Sequence, residues 1–242
     1  MNKKLNQEIK SKVTDALSDY YINQGFKLKK STKEFLKGDF SVFWGESSKG
    51  VDSVVFRPSI TLENKEISNI QSVIFPESLK NNTIVRVLDL DFAEEFGVGD
   101  FESPFVDNHG LDGKSYYYRV AIDTNVEPIV SDHIRFMESI GLPFIEKLSS
   151  LEGIHEYINE RVLKVDDALL KIDEKQKELK KGYGKREVLS GVVVSYLLKR
   201  GDTNLLLKRI KLLFEGNDYV LNDVRKIEEY FKSQSSPTSA SL

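Results

Sequence analysis

The residues best suited to chemistry form an acidic run between Leu88 and Gly113, which contains eight carboxylates and no lysine or arginine. Carboxylate oxygens are hard ligands of the kind that hold Ca²⁺ or Mg²⁺. The metal candidates are the four carboxylates at its start: Asp89, Asp91, Glu94 and Glu95. The run does not match the EF-hand loop, and its five glycines and prolines interrupt regular structure. A long, solvated acidic loop is therefore the favoured interpretation.

A second set of carboxylates mimics the order found in metal-dependent nucleases. Asp52 opens a predicted strand, and Glu63 and Lys65 follow that strand. Such enzymes hold a divalent ion between carboxylates and orient a water near a lysine. The spacing here is loose, and Pro58 disturbs the strand between them. A divergent metal-dependent hydrolase or nuclease is therefore the alternative functional hypothesis.

Other catalytic signatures are missing from the sequence. There is no cysteine, no phosphate-binding glycine loop, no nucleophile elbow and no paired-histidine zinc motif. The three histidines, His109, His133 and His155, stand alone, and isolated histidines are usually surface or packing residues. The sequence assigns no catalytic residue and predicts no cofactor.

Charge is unevenly distributed along the chain. Residues 1–50 carry a net charge of +4, residues 51–160 of −12 and residues 161–242 of +5. The acidic centre argues against a broad nucleic-acid-binding face. It suits a basic protein partner, for which Asp100 and Glu102 are binding candidates.

Trp44, the single tryptophan, is a further candidate for contact with a partner. It lies in an alternating run with Phe40 and Val42 on the same side. Arg57, on the next strand, could line the same surface. A tryptophan on such a strand is more often part of the core, and that interpretation is favoured.

The first half of the chain predicts a helix followed by a small, mostly antiparallel sheet. Apolar residues at spacings of three and four indicate a helix over residues 4–23, with Gly25 as its left-handed C-cap. The predicted strands are Phe26–Lys30, Glu34–Glu46, Asp52–Ile60 and Thr83–Leu90, with a short helix within 61–74. Residues Tyr116–Thr124 fit either a last strand or the start of a helix, and the strand is favoured. Pro58 predicts an edge position or a bulge, since proline cannot donate to the ladder.

The second half predicts helices that end in a hairpin. Ser150 is a predicted N-cap, and helices over Val188–Arg200 and Asn204–Phe214 are joined by a turn at Gly201. The fold class is therefore α+β: an α+β domain over residues 1–125, a helical part over 126–232 and a disordered tail over 233–242. A stripe of Leu169, Ile172 and Leu179 offers a weaker hypothesis of homodimerisation.

Targeting signals are not apparent in the sequence. The basic N-terminus lacks the apolar run of a signal peptide, and no stretch approaches the roughly 20 apolar residues of a spanning helix. With no cysteine, these features predict a cytoplasmic protein that does not engage a membrane.

Scattered short motifs resemble a bacterial family known only as a domain of unknown function (number four thousand three hundred and four). These motifs are Gly25-Phe26-Lys27 after a helix, Gly141-Leu142-Pro143-Phe144, and Tyr196-Leu197-Leu198 followed by Gly201-Asp202. The resemblance implies an α+β core followed by helices, and it supplies no catalytic residues. The acidic run is not part of it.

These observations predict a non-enzymatic protein-binding or regulatory protein. It would engage a protein partner through its sheet face, its acidic loop or its helical hairpin. A specific version is an immunity or defence-system component that blocks a basic toxin through charge complementarity.

Overall fold

The computed structural model describes residues 3–48, 53–76, 88–91, 106–110, 113–116, 118–180 and 183–235. The α+β class is confirmed, with a small antiparallel sheet near the N-terminus and a mostly helical second half. In chain order the described elements are α1 (Lys3–Asn23), β1 (Lys27–Lys29), β2 (Glu34–Lys37), β3 (Phe40–Ser48), β4 (Ser53–Leu62), α2 (Lys65–Ile74), β5 (Leu88–Asp91), β6 (Val106–Gly110), β7 (Gly113–Tyr116), β8 (Tyr118–Ala121), α3 (Glu127–Phe136), a π-helical turn (Met137–Gly141), α4 (Leu142–Lys147), α5 (Leu151–Leu163), a 3₁₀ turn (Leu169–Lys171), α6 (Asp173–Lys180), α7 (Lys185–Leu197), α8 (Thr203–Leu213) and α9 (Asp218–Ser235).

These elements pack as two units. The sheet unit comprises Met1–Leu62 and Leu88–Ile145, and the helical unit comprises Glu63–Val87 and Glu146–Leu242. This division differs from the predicted boundary after residue 125. The reason is packing: α3 contacts α1 in the sheet unit, and α2 contacts α7 and α9 in the helical unit.

The main sheet is antiparallel with strand order β1-β2-β3-β4-β5, and β8 also pairs with β4. The expectation that Pro58 marks an edge strand or a bulge is wrong, because β4 is central. One side of β4 pairs with β8 over residues 53–56 and with β5 over residues 59–62. Pro58 lies where the strand changes partners, so its missing N–H breaks no ladder on that side.

The predicted strand Glu34–Glu46 is two strands. Gly38 has a φ of +58°, a left-handed conformation that glycine adopts without a steric penalty. The chain therefore turns there, and β2 pairs back on β3.

The acidic run also contains strands. Its first residues form β5, which pairs with β4, and residues 106–110 and 113–116 form the β6–β7 pair. The predicted strand Thr83–Leu90 is confirmed over Leu88–Leu90, whereas describing residues 106–110 as loop is wrong. Most of its middle lies outside the described residues.

Helix α1 closes one side of the sheet unit with a single apolar stripe. Ile9, Val13, Leu17 and Tyr21 are all buried, as the helical spacing predicts. The Tyr21 ring stacks on Phe35 of β2, with the ring centroids 4.1 Å apart. Gly25 ends the helix at a φ of +82°, which confirms the predicted C-cap.

Helix α7 lies at the centre of the helical unit. Residues 188–195 are buried on every side, which is typical of a helix surrounded by other elements. It contacts α2, α5, α8 and α9. The predicted hairpin is confirmed as α7 and α8, and Ser150 caps α5 by accepting a hydrogen bond from the Gly153 N–H at 3.0 Å.

The stripe proposed for homodimerisation does not form one exposed face. Leu179 is buried in the core, whereas Leu169 and Ile172 are exposed. Among the described residues, no helix is long and apolar enough to cross a membrane.

Helices α5 and α7 are in close contact at Gly191. The Asn159 side-chain amide donates to the Gly191 carbonyl at 2.9 Å, and both residues are buried. A Cβ at position 191 would lie 2.1 Å from Asn159 Oδ1 and 2.9 Å from Ile158 Cγ2. The contact between these two helices therefore requires glycine.

We expect Gly191→Ala to lower the free energy of unfolding by about 1–3 kcal/mol, the range for overpacked cores. Alanine is favoured over glycine within a helix by about 1 kcal/mol, so a gain in stability would show that the close approach is not a constraint. Urea denaturation measures the change. Gly201→Ala is the matched control, because no atom lies within 4 Å of its added Cβ, and it should leave stability nearly unchanged.

Candidate functional site

The register of the sheet separates two of the predicted partner-binding residues. Arg57 is opposite Gly45, and Trp44 is opposite Pro58. Since consecutive residues of a strand belong to opposite faces, Arg57 and Trp44 lie on opposite faces of the sheet. The prediction that they line one surface is therefore wrong. The Arg57 side chain is exposed.

The acidic candidates are only partly described. Asp89 and Asp91 lie on β5, opposite Thr61 and Ser59, while Glu94, Glu95, Asp100 and Glu102 lie outside the described residues. Asp52 of the alternative nuclease hypothesis also lies outside them. Within the described part of the chain, no group of three or more histidines and carboxylates is placed to hold a metal.

The sheet unit contains a buried polar cluster where α3 meets α1 and β8. The Tyr21 hydroxyl lies 2.7 Å from Nε2 of His133, and the Tyr118 hydroxyl donates to Asp132 at 3.1 Å. Arg135 donates to the other oxygen of Asp132 at 2.9 Å. His133 is fully buried, and this burial lowers its pKa to about 3, while the Asp132 carboxylate acts in the opposite direction. The cluster is closed to solvent at His133.

The helical unit contains an open polar cleft at the tip of the α7–α8 hairpin. Its volume is about 540 Å³. One wall is α5 with its N-cap Ser150, together with Lys147 at the end of α4, and the other is the turn between α7 and α8. The charged and titratable residues that line the cleft are Lys147, Glu152, His155, Glu156, Glu160, Lys164, Arg200 and Asp202.

Hydroxyl groups fix the turn that forms the second wall. The hydroxyls of Ser195 and Thr203 are 2.7 Å apart, and the Thr203 hydroxyl donates to the Arg200 carbonyl at 2.8 Å. Both side chains are buried. Asp202 immediately precedes α8, so these bonds fix the backbone that carries its side chain.

His155 is the buried group of the cleft. Only 3% of the residue is exposed, and its Nε2 has no hydrogen-bond partner. Asp202 Oδ1 lies 3.9 Å from Nε2, which is too far for a direct hydrogen bond. Burial lowers the pKa of His155; Asp202 and Glu160 act against this and Arg200 acts with it. The imidazole is therefore neutral at pH 7.

Each cation of the cleft is already paired with a carboxylate. Lys147 contacts Glu156 at 2.9 Å, Arg200 contacts Asp202 at 2.9 Å, and Lys164 contacts Glu160. The carboxylate left over belongs to Glu152, which forms no ion pair with any described residue. The lining of the cleft therefore carries four carboxylates and three cations, with Glu152 acting on Arg200 electrostatically but not as a close ion pair.

The cleft contains a serine, a histidine and an aspartate, the residue types of a hydrolytic triad. Ser150, however, uses its hydroxyl as the N-cap of α5, and no hydrogen bond joins it to His155. Asp202 is also too distant to orient the imidazole directly. The arrangement lacks the bonded chain from nucleophile to base to acid that acyl transfer requires.

The sequence predicts a surface or packing role for His155 and places Asp202 in the hairpin turn beside Gly201. Within one sequence nothing pairs a helix residue with a turn almost fifty residues later. The local signal was a histidine among Glu152, Glu156 and Glu160 on one helix, with polar residues at the hairpin turn. That signal indicates a polar face, but it does not predict a cleft.

Comparisons with protein-family models, curated proteins and solved structures found no match. The resemblance to the bacterial family therefore remains a prediction from motifs.

Acid should destabilise the protein through His133. Because the folded-state pKa is about 3 and the unfolded value is about 6.5, only the unfolded state binds this proton between those values. Lowering the pH from 6.5 toward 3 therefore lowers the free energy of unfolding, by up to about 1.4 kcal/mol per pH unit. Urea denaturation from pH 7 to pH 4 measures the slope.

The control is His133→Gln, which should show a shallower slope over the same pH range, since it keeps a polar side chain without the titration. NMR of the imidazole provides a second measurement that does not require the variant to fold. Protonation of His133 near pH 6 in the native protein would contradict the assignment.

Proposed function

We propose that the protein is a non-enzymatic binding protein that engages a basic protein partner through the cleft at the tip of its α7–α8 hairpin. The observation that carries this proposal is the cleft itself: an open concave surface with an unpaired carboxylate at Glu152 and an unsatisfied buried nitrogen at His155. A basic side chain of a partner would place a cation next to the Glu152 carboxylate, which forms no ion pair with a described residue.

Charge favours a basic partner. The cleft contains four carboxylates and three cations, and all three cations are engaged. The segment 51–160, which supplies Glu152, Glu156 and Glu160, carries a net charge of −12. Complementary charge raises association rates and excludes partners of the same sign.

More specifically, we propose that the protein has a regulatory role or is an immunity protein. A protein that blocks a basic toxin needs an acidic surface rather than catalytic residues. The lining of the cleft, with four carboxylates and three cations, is acidic. The cysteine-free sequence is compatible with a reducing environment. We therefore also propose that the protein is cytoplasmic. The alternative of a metal-dependent hydrolase relies on Asp52, and no described contact favours it.

The test is affinity capture from a lysate of the native host, with the purified protein as bait. We expect a basic protein to be recovered at low salt and to be lost as salt rises, because the Debye length falls from about 30 Å at 0.01 M to about 10 Å at 0.1 M. Glu152→Lys, which reverses the unpaired charge, should abolish the capture.

Glu229→Lys is the matched control. It makes the same charge change at an exposed position on α9 that does not line the cleft, and it should leave capture intact. Recovery of the same proteins by both variants and by the wild type would place the interaction elsewhere and overturn the proposal.

A further inference from the structure

An open groove lies between α1 and α3 on the surface of the sheet unit. Its volume is about 390 Å³, and most of its lining is apolar: Ala16 of α1 on one wall, and Val126, Val130 and Ile134 on the other. The three residues of the second wall are spaced four apart, so they form one stripe along α3. They are half-buried, and Ala16 is exposed. Helix α3 therefore has a second apolar stripe, which the sheet unit leaves open to solvent.

Helices α1 and α3 run side by side in the same direction. Lys12 Nζ donates to the carbonyls of Ile122 and Thr124, at 3.0 and 2.7 Å, just before α3 begins. Further along both helices, the Tyr21 hydroxyl lies 2.7 Å from Nε2 of His133. The stripe from residue 126 to residue 134 is about 12 Å long at 1.5 Å per residue. The groove is therefore about two helical turns long.

The shape and chemistry of the groove favour a helix as its occupant. Its polar lining residues are Glu127 and Ser131, and most backbone polar groups of the two walls are bonded within their own helices. An extended peptide would leave its main-chain N–H and C=O groups without partners on such a lining, whereas a helix satisfies them internally. A ridge of side chains on a third helix can also pack between two adjacent helices.

The walls of the groove are acidic. Residues 12–20 and 123–138 together carry six carboxylates and two cations, a net charge of −4. The carboxylates belong to Asp15, Asp19, Asp123, Glu127, Asp132 and Glu138. Both cations are engaged, Lys12 with the two carbonyls and Arg135 with Asp132 at 2.9 Å. A basic occupant would therefore find compensating charge here.

Two of these carboxylates are placed along the groove itself. Glu127 lines it at the start of α3. Burial raises the pKa of Tyr20 to about 12, and the Glu138 carboxylate adds to this rise. This effect places Glu138 near Tyr20, which is one turn beyond Ala16 on α1. Both carboxylates are exposed, and neither forms an ion pair with any described residue.

We infer that the α1–α3 groove binds an amphipathic helix of a partner, with an apolar stripe in the groove and lysine or arginine on its flanks. The small side chain of Ala16 leaves space for an apolar anchor of that helix. Glu127 and Glu138 supply the charge that selects basic flanks, and an acidic helix would be repelled. The groove lies within the sheet unit, so this inference does not depend on the proposed use of the cleft in the helical unit.

The experiment uses the full-length protein and a labelled, blocked peptide of about 15 residues, the length at which isolated helices become stable. The peptide contains leucines at spacings of three and four, lysines beside that stripe and alanine elsewhere. Fluorescence anisotropy gives its Kd, and ¹H–¹⁵N spectra of the protein locate it. We expect the amide resonances of Val126, Val130 and Ile134 to move.

Two further peptides separate the charge from the stripe. A version with glutamate in place of lysine should not bind, because its charge matches that of the groove. A version of the same composition with its leucines spread around the helix should bind about tenfold or more weakly, since leucines that stay exposed contribute no burial free energy.

Ala16→Leu should weaken binding of the lysine peptide by about tenfold or more, because the leucine fills the space that the anchor needs. The position is exposed, and leucine is nearly as favourable as alanine in a helix, so the variant should fold. Ala168→Leu is the matched control at an exposed alanine of the helical unit, and it should bind as the wild type does.

Glu127→Gln should weaken binding by about two- to fivefold, as expected for loss of an exposed ion pair. Glu229→Gln, at an exposed position of α9, is its control and should have no effect. Glu152→Lys, which tests the cleft, should also leave binding of this peptide unchanged. Failure of the groove and failure of the proposed function can therefore be distinguished.

Equal binding of the lysine and glutamate peptides would overturn the inference, as would wild-type affinity in Ala16→Leu or unmoved resonances in α3. Self-association through the groove without peptide binding would assign it to a second copy of this chain and also overturn the inference. Binding of a small apolar dye at the groove, without peptide binding, would do the same.

Discussion

The contact between α5 and α7 at Gly191 is the constraint on which the helical unit depends. The missing Cβ lets the Asn159 amide reach the Gly191 carbonyl, and the Tyr183 hydroxyl contacts the same amide at 3.5 Å. His155 is one turn before Asn159 on α5. The contact that fixes Asn159 therefore also fixes the depth at which His155 faces the hairpin turn. A looser contact between these helices would open the cleft and expose the imidazole to water.

Two buried histidines show how different surroundings give the same residue type different roles. His133 meets a tyrosine hydroxyl inside the sheet unit, so its burial contributes to the core. His155 is nearly as buried, but its Nε2 meets no partner and lies beside a cleft. The two rings therefore differ in what surrounds them: His133 meets a tyrosine hydroxyl in the core of the sheet unit, and His155 lies against the lining of the cleft.

Sequence patterns predicted the elements better than their assembly. The periodicity of α1, the N-cap at Ser150 and the α7–α8 hairpin are local features, and local spacing is sufficient to predict them. The central position of β4 was not predicted. A proline indicates a missing N–H donor, but it does not indicate on which side of the strand no hydrogen bond is needed at that position. The cleft was missed for a related reason: His155 and Asp202 are brought together by the packing of α5 against α7. Neither residue is unusual within its own segment.

Because α2 packs in the helical unit, the two units are interleaved along the chain. Helix α2 leaves the ribosome between strands of the sheet unit, and its buried residue Gln71 hydrogen-bonds to Ser190 of α7. At a synthesis rate of about 5–20 residues per second, α2 must wait on the order of ten seconds for α7 to be made. During that time its apolar face is available to chaperones. Two fragments divided between α2 and α7 would separate Gln71 from Ser190, so each would lack part of the core of the helical unit.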